Sequence, residues 1–125
     1  SGVQMGTVFL ASEECPVTDE YKNMILEADD TSTTLTGEKF GAPVRGIKNE
    51  LTKRYHELEE QSSTLMELEE LTLGSLRRAV YDGDVENGSV MAGQIAGLVS
   101  EIRPVKVIIE SVIEEAKNVL KKTEI

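Results

Sequence analysis

This sequence of 125 residues has one cysteine, one histidine, three prolines and no tryptophan. With Cys15 as the sole thiol no internal disulfide can form, which fits a reducing, cytoplasmic setting. Cys15 precedes Pro16 and has no base beside it, so it reads as an inert thiol. Aromatic residues are 4% of the chain, and a core must therefore be aliphatic. Positive charge is scarce as well: 13 Lys and Arg face 23 Asp and Glu, for a net charge of −10. That balance argues against nucleic acid and against an anionic membrane surface as partners. No apolar run approaches the roughly 20 residues of a membrane span. Ser1-Gly2-Val3 opens directly into a strand-like run, with no leader pattern expected before it. His56 has no Cys or second His at ligand spacing, so no metal site is expected. Phosphate-loop, nucleophile-elbow and zinc motifs are missing. The acidic runs Glu13-Glu14, Glu57-Glu59-Glu60 and Glu67-Glu69-Glu70 read as solvated helix faces. On its residues alone the chain carries no catalytic group.

What is present is a globular composition, 39% hydrophobic and 29% charged, long enough for one domain or less. Gly2–Ala11 (GVQMGTVFLA) is apolar and β-rich and reads as a strand. Gly6-Thr7 inside it marks either a bulge or a bare backbone facing a ligand. Thr18 caps a helix with Asp19 and Glu20 in its first turn and Tyr21, Met24, Ile25 and Ala28 on one face. Thr31–Thr36 is β-prone and reads as an extended edge. Gly41-Ala42-Pro43 starts a helix carrying Val44, Ile47, Leu51, Tyr55 and Leu58 to about Glu60. Gln61-Ser62-Ser63 breaks it, Thr64 and Glu67 form a capping box, and Leu73, Leu76 and Val80 continue as helix. After Pro104, the spacing of Val105, Ile108, Val112 and Val119 predicts a long amphipathic helix. The fold class expected is mostly α with one or two strands.

The most unusual stretch is Asp82–Val99 (DGDVENGSVMAGQIAGLV). Asp82-Gly83 and Asn87-Gly88 are turn signals. Met91, Ile95, Leu98 and Ile102 then have helical spacing, with Ser89, Gly93 and Gly97 as a nearly bare ridge on that helix. Each interior glycine costs a helix roughly 1 kcal/mol against alanine. The ridge is expected to be repaid by close approach of a backbone or a flat ligand.

This stretch resembles the C-terminal signature of the flavin-dependent enoyl-[acyl-carrier-protein] reductases, type II. They belong to the wider nitronate monooxygenase (2-nitropropane dioxygenase-like) family of FMN-binding (β/α)8 barrels. The likeness extends over nearly the whole chain, which would be the C-terminal part of such a TIM barrel with its small inserted domain. Residues 1–16 would be the last barrel strand and its phosphate-binding turn, 17–82 the small helical domain, and 83–125 the flavin-facing loop and last helices. The resemblance implies that Gln4, Met5, Gly6 and Thr7 contact the FMN phosphate, with Val8 where the family has a basic residue. It implies that Ser89, Met91, Ala92, Gly93 and Gln94 fold over the flavin and the nicotinamide or acyl site. In TTLTGEKFGAPVRGIKN it marks Arg45 and Asn49 as a recurrent pair, read as structural in preference to dinucleotide binding. The family's catalytic histidine and glycine-rich loop are absent. The parent would be a cytoplasmic oxidoreductase of fatty acid synthesis that uses FMN and NADH or NADPH on an acyl carrier protein thioester, and a homo-oligomer; this part alone would be inactive. The same fold oxidises nitronates with O2, and a non-enzymatic acidic helical interaction module is the reading from another class.

Overall fold

In the computed structural model, which describes residues 2–61 and 64–123, the chain is mostly helical with one two-stranded sheet. Residues 2–6 are irregular and exposed, and α1 (Thr7–Leu10) is a single turn. The strand expected over Gly2–Ala11 does not form. Among the described residues no strand lies alongside to pair with it, and an isolated strand leaves its N–H and C=O groups unmatched. Instead the Phe9 N–H donates to the Gly6 carbonyl at 2.9 Å and closes a helical turn.

Helix α2 (Asp19–Glu27) starts where expected, with Asp19 and Glu20 at the positive end of its dipole. Tyr21 and Ile25, 2% and 0% exposed, point into the core. Burying each contributes roughly 1.5–3 kcal/mol before entropy is counted. Thr18 stands at the N-cap, but its hydroxyl donates to the Ala79 carbonyl at 2.9 Å and ties α2 to the helix that carries Ala79. The core cluster joins these side chains to Ala11, Ile47, Ala79, Val90, Ala92, Ala96 and Val99, small aliphatic residues from all along the chain.

The sheet pairs β1 (Thr33–Thr36) with β2 (Val44–Ile47) antiparallel, Thr33 opposite Ile47 and Thr36 opposite Val44. The helix expected from Gly41 therefore begins later. Gly37 and Gly41 hold φ of 81° and 73° around a 3-10 turn at Glu38–Phe40, reversing the chain into β2. Helix α3 (Glu50–Glu60) starts behind Asn49, whose side chain accepts from the Thr52 N–H while the Thr52 hydroxyl accepts from the Asn49 N–H. Val44, Ile47 and Leu51 are spaced like a helical stripe, yet the first two lie on a strand and the third on a helix.

Helix α4 (Leu65–Thr72) has Thr64 accepting from the Glu67 N–H at 3.3 Å. The expected break at Gln61-Ser62-Ser63 falls partly on Ser62 and Ser63, outside the described residues. Helix α5 (Ser75–Val80) follows. Helix α6 (Val105–Thr123) runs 19 residues, and both carboxylate oxygens of Glu14 accept from its Val105 N–H, at 3.1 and 3.0 Å. Only Ile108 of α6 is buried; Ile109, Ile113, Val119 and Leu120 are exposed. Among the described residues no helix is long and apolar enough to cross a membrane.

Candidate functional site

The two bare-backbone stretches meet at one contact. The Thr7 hydroxyl accepts from the Gly93 N–H at 2.8 Å, joining residues 86 positions apart. Thr7 is buried, while Gln4, Met5 and Gly6 before it are exposed. A side chain at Gly6 would meet nothing within 4 Å. The Thr7 and Val8 N–H groups that open α1 have no carbonyl within the helix to bond. Gln4, Met5, Gly6 and Thr7 line an open groove of about 700 Å³, whose lining also includes Leu98 and Arg103. Replacing Thr7 with Val removes the acceptor and leaves the Gly93 N–H unmatched, at an expected cost of about 1–3 kcal/mol. Hydrogen exchange reads it directly: the Gly93 amide exchanges faster in Thr7→Val while amides of α3 keep their order of protection.

Ser89–Gly93 is not helical. It runs extended beside β2, with a bridge between Met91 and Gly46 and the Ile47 N–H donating to the Val90 carbonyl at 2.8 Å. Its side chains alternate as on a strand: Val90 and Ala92 are buried, at 2% and 6%, and Met91 is 39% exposed. Only Gln94–Leu98 coils, as a 3-10 turn after an extended Gly93. The expected helix carrying Ser89, Gly93 and Gly97 as a ridge is thus replaced by strand-like backbone, because the strand period places both Val90 and Ala92 in the core.

The candidate residues divide accordingly. Ser89 lies 2.6 Å from the Ser75 hydroxyl, oxygen to oxygen, and its N–H donates to the Ser75 carbonyl. Ser89 and Met91 open onto a second groove of about 360 Å³, between β2 and α5, and not onto the groove of Gln4–Thr7. Ala92 faces the core, and Gln94 is exposed. The Met91 carbonyl accepts from the Tyr21 hydroxyl at 2.7 Å. Burial pushes the Tyr21 phenol up to about 12, against the lowering effect of that hydrogen bond, so it stays a donor across the neutral range. Nothing in the sequence signals this contact, which spans 70 positions.

Asn49 holds the turn before Ser89: its amide donates to the Val85 and Gly88 carbonyls, both at 2.7 Å. Arg45 donates to the Thr33 hydroxyl at 3.0 Å, within the sheet. His56 Nε2 lies 3.0 Å from the Thr34 hydroxyl and Nδ1 3.8 Å from a Glu59 oxygen. Among the described residues no three His, Cys, Asp or Glu side chains gather closely enough to hold a metal ion.

A family model described as nitronate monooxygenase matches residues 1–115. The chain belongs to the nitronate monooxygenase family. Within it, the chain is similar to FabK from Thermotoga maritima, with a TM-score of 0.89 and 45% identity over 95% of this chain and 38% of that one. It is 30% identical to a probable nitronate monooxygenase of Staphylococcus saprophyticus over 97% of this chain and 34% of that protein. A probable nitronate monooxygenase of Staphylococcus haemolyticus is 29% identical over 95% of this chain and 33% of its own length. The chain spans about a third of the length of these curated relatives. The likeness to FabK bears out the expected architecture, mostly helical with two strands and corresponding to a portion of a larger fold.

Proposed function

We propose that this chain forms the phosphate-holding and flavin-covering portion of an FMN-dependent oxidoreductase that uses NADH or NADPH. Its proposed reaction is reduction of a trans-2-enoyl thioester of acyl carrier protein. The observation that carries this reading is the Thr7–Gly93 hydrogen bond, which brings together the two segments the resemblance assigns to the cofactor. The residues present fit such a group. Residues 2–6 offer exposed backbone, and the space beside Gly6 is open. Val8 supplies no charge, so the phosphate would be held by the N–H groups that open α1 and by the Thr7 hydroxyl proton. When bound, the cofactor supplies hydride transfer to the β-carbon of the enoyl group, with protonation at the α-carbon. The chain's own share is positioning: α1 fixes Thr7, Thr7 fixes Gly93, and Tyr21 fixes the Met91 carbonyl.

Nitronate oxidation with O2 is the second reading, supported by the names of the staphylococcal relatives. The identity to FabK, 45% against 30% and 29%, supports the reductase branch of the resemblance. The test is the purified product of the full reading frame containing these residues. Bound flavin and NAD(P)H oxidation driven by crotonyl thioester without O2 are expected. Nitronate-dependent O2 uptake with no need for NAD(P)H establishes the second reading, and a flavin-free protein inert in both assays overturns the two together.

A further inference from the structure

Two helix faces outside the cofactor region set apolar side chains in water beside charges of opposite sign. The first is on α4. Leu65, Met66, Glu69, Glu70 and Leu73 recur at spacings of one and four residues, which puts them on one side of the helix and its C-cap, and all five are exposed. Met66 and Leu73 are 71% and 78% exposed. The charge on that side is misplaced for α4 itself. Glu69 and Glu70 fall in the last turn, at the negative end of the helix dipole, and no basic residue stands in that turn. Glu69 also joins Glu59 of α3, after burial as the larger cause, in holding the Tyr55 phenol above its ordinary value, so two carboxylates face one phenol. A cation supplied from outside relieves both.

The second face is the end of α6. The family match stops at residue 115, while α6 runs on to Thr123. Residues 116–123 (AKNVLKKT) hold three lysines and no acidic side chain, and no other eight-residue stretch of this acidic chain holds three basic residues without an acid. Ala116, Lys117, Leu120 and Lys121 repeat the spacing of the α4 face, and all are exposed, Leu120 at 63%. Lys121 and Lys122 complement the dipole of α6, but the dipole gives no reason for Leu120 to lie in water between Lys117 and Lys121. Neither face lines the groove of Gln4–Thr7 or the one beside Ser89 and Met91.

We propose that the end of α6 in one copy packs on the α4 face of a second copy, and that the pairing is reciprocal about a twofold axis. Leu120 meets the apolar surface of Met66 and Leu73, while Lys117 and Lys121 reach Glu69 and Glu70. One chain carries both surfaces, so a second copy matches each of them in charge and in apolar character. The apolar contact supplies affinity, and the charges select which face it meets. The pairing is independent of which reaction the parent performs.

The test is sedimentation velocity on the full reading-frame product and on two charge-reversed variants. One carries Glu69→Lys with Glu70→Lys, the other Lys117→Glu with Lys121→Glu. The parent is expected to dimerise. Each variant alone sets like charges across both contacts and is expected to dimerise about tenfold more weakly or worse. An equimolar mixture of the two is expected to recover dimers, because a mixed pair has opposite charges at both contacts; a mass tag on one variant identifies that pair. The four positions are exposed, so melting temperatures are expected to stay near the parent's. Leu120→Ser changes no charge and is expected to weaken the dimer as well. A monomeric parent, whose faces are then covered by its own chain or by another protein, overturns the pairing. So do dimers indifferent to both reversals, or a mixture that dimerises no better than the variants alone.

Discussion

Asn49→Ala is expected to lower the melting temperature of this chain by roughly 6–16 °C. The side chain does three things at once. Its oxygen accepts from the Thr52 N–H and caps α3, a contact whose loss typically costs about 1 kcal/mol. Its two N–H groups satisfy the Val85 and Gly88 carbonyls, and each part-buried carbonyl left without a donor adds about 1 kcal/mol or more. The sum is roughly 2–4 kcal/mol, which gives the stated range at about 3–4 °C per kcal/mol for a chain of this size. Asn49→Ser retains a cap oxygen but not the two donors, and is expected to fall between parent and alanine. Hydrogen exchange should show where the damage goes: the Ser89 amide, which bonds to the Ser75 carbonyl just past the released turn, loses protection first. A melting temperature for Asn49→Ala within 2 °C of the parent would contradict this account of the turn.

The second large effect separates two glycines that look equivalent in the sequence. A Cβ at Gly97 would sit 2.6 Å from the Asp29 carbonyl carbon, 2.9 Å from its oxygen and 3.0 Å from its Cα. These are backbone atoms at the end of α2, and they cannot swing aside. At Gly93, among the described residues, a Cβ would meet the Thr7 hydroxyl oxygen at 3.2 Å, which needs to yield by a few tenths of an ångström. From the expected ridge, with a ligand near the start of the helix, Gly97→Ala would be the milder change. The packing reverses that order. Gly97→Ala is expected to destabilise by about 1–3 kcal/mol, as overpacking does, because the 3-10 turn must lift off α2. Gly93→Ala should stay within about 1 kcal/mol of the parent, any larger cost being confined to the Thr7 contact. Thermal unfolding of the two variants side by side decides it, and equal melting temperatures would show that the Gln94–Leu98 turn is not seated on Asp29 as described.

Several elements were legible because their signals are local. The acidic first turn of α2, the β-prone threonines of β1, the Thr64 cap of α4 and the stripe of α6 rest on residues within a turn or two of one another. The nitronate monooxygenase family was legible too, since Asp82–Val99 is a long and specific pattern. The errors arose where a local pattern fits two periods. Val44, Ile47 and Leu51 suit a helix until two left-handed glycines and the pairing with β1 make the first two a strand. Ser89–Ala92 likewise suits a helix whose spacing includes Met91, yet the core accepts Val90 and Ala92 only if the backbone alternates.

By itself, then, the sequence determined the aliphatic character of the core, the starts of α2, α4 and α6, the family and the two stretches of bare backbone. Tertiary structure alone decided that Thr7 meets Gly93 and that Tyr21 holds the Met91 carbonyl. It alone made Gly97 a packing glycine, and it tied the Arg78 side chain to the Leu73 and Asn87 carbonyls. The reason is separation along the chain. Each of the first three is a contact between residues 68 to 86 positions apart, chosen by which surfaces the core brings together; no spacing rule within one segment encodes it.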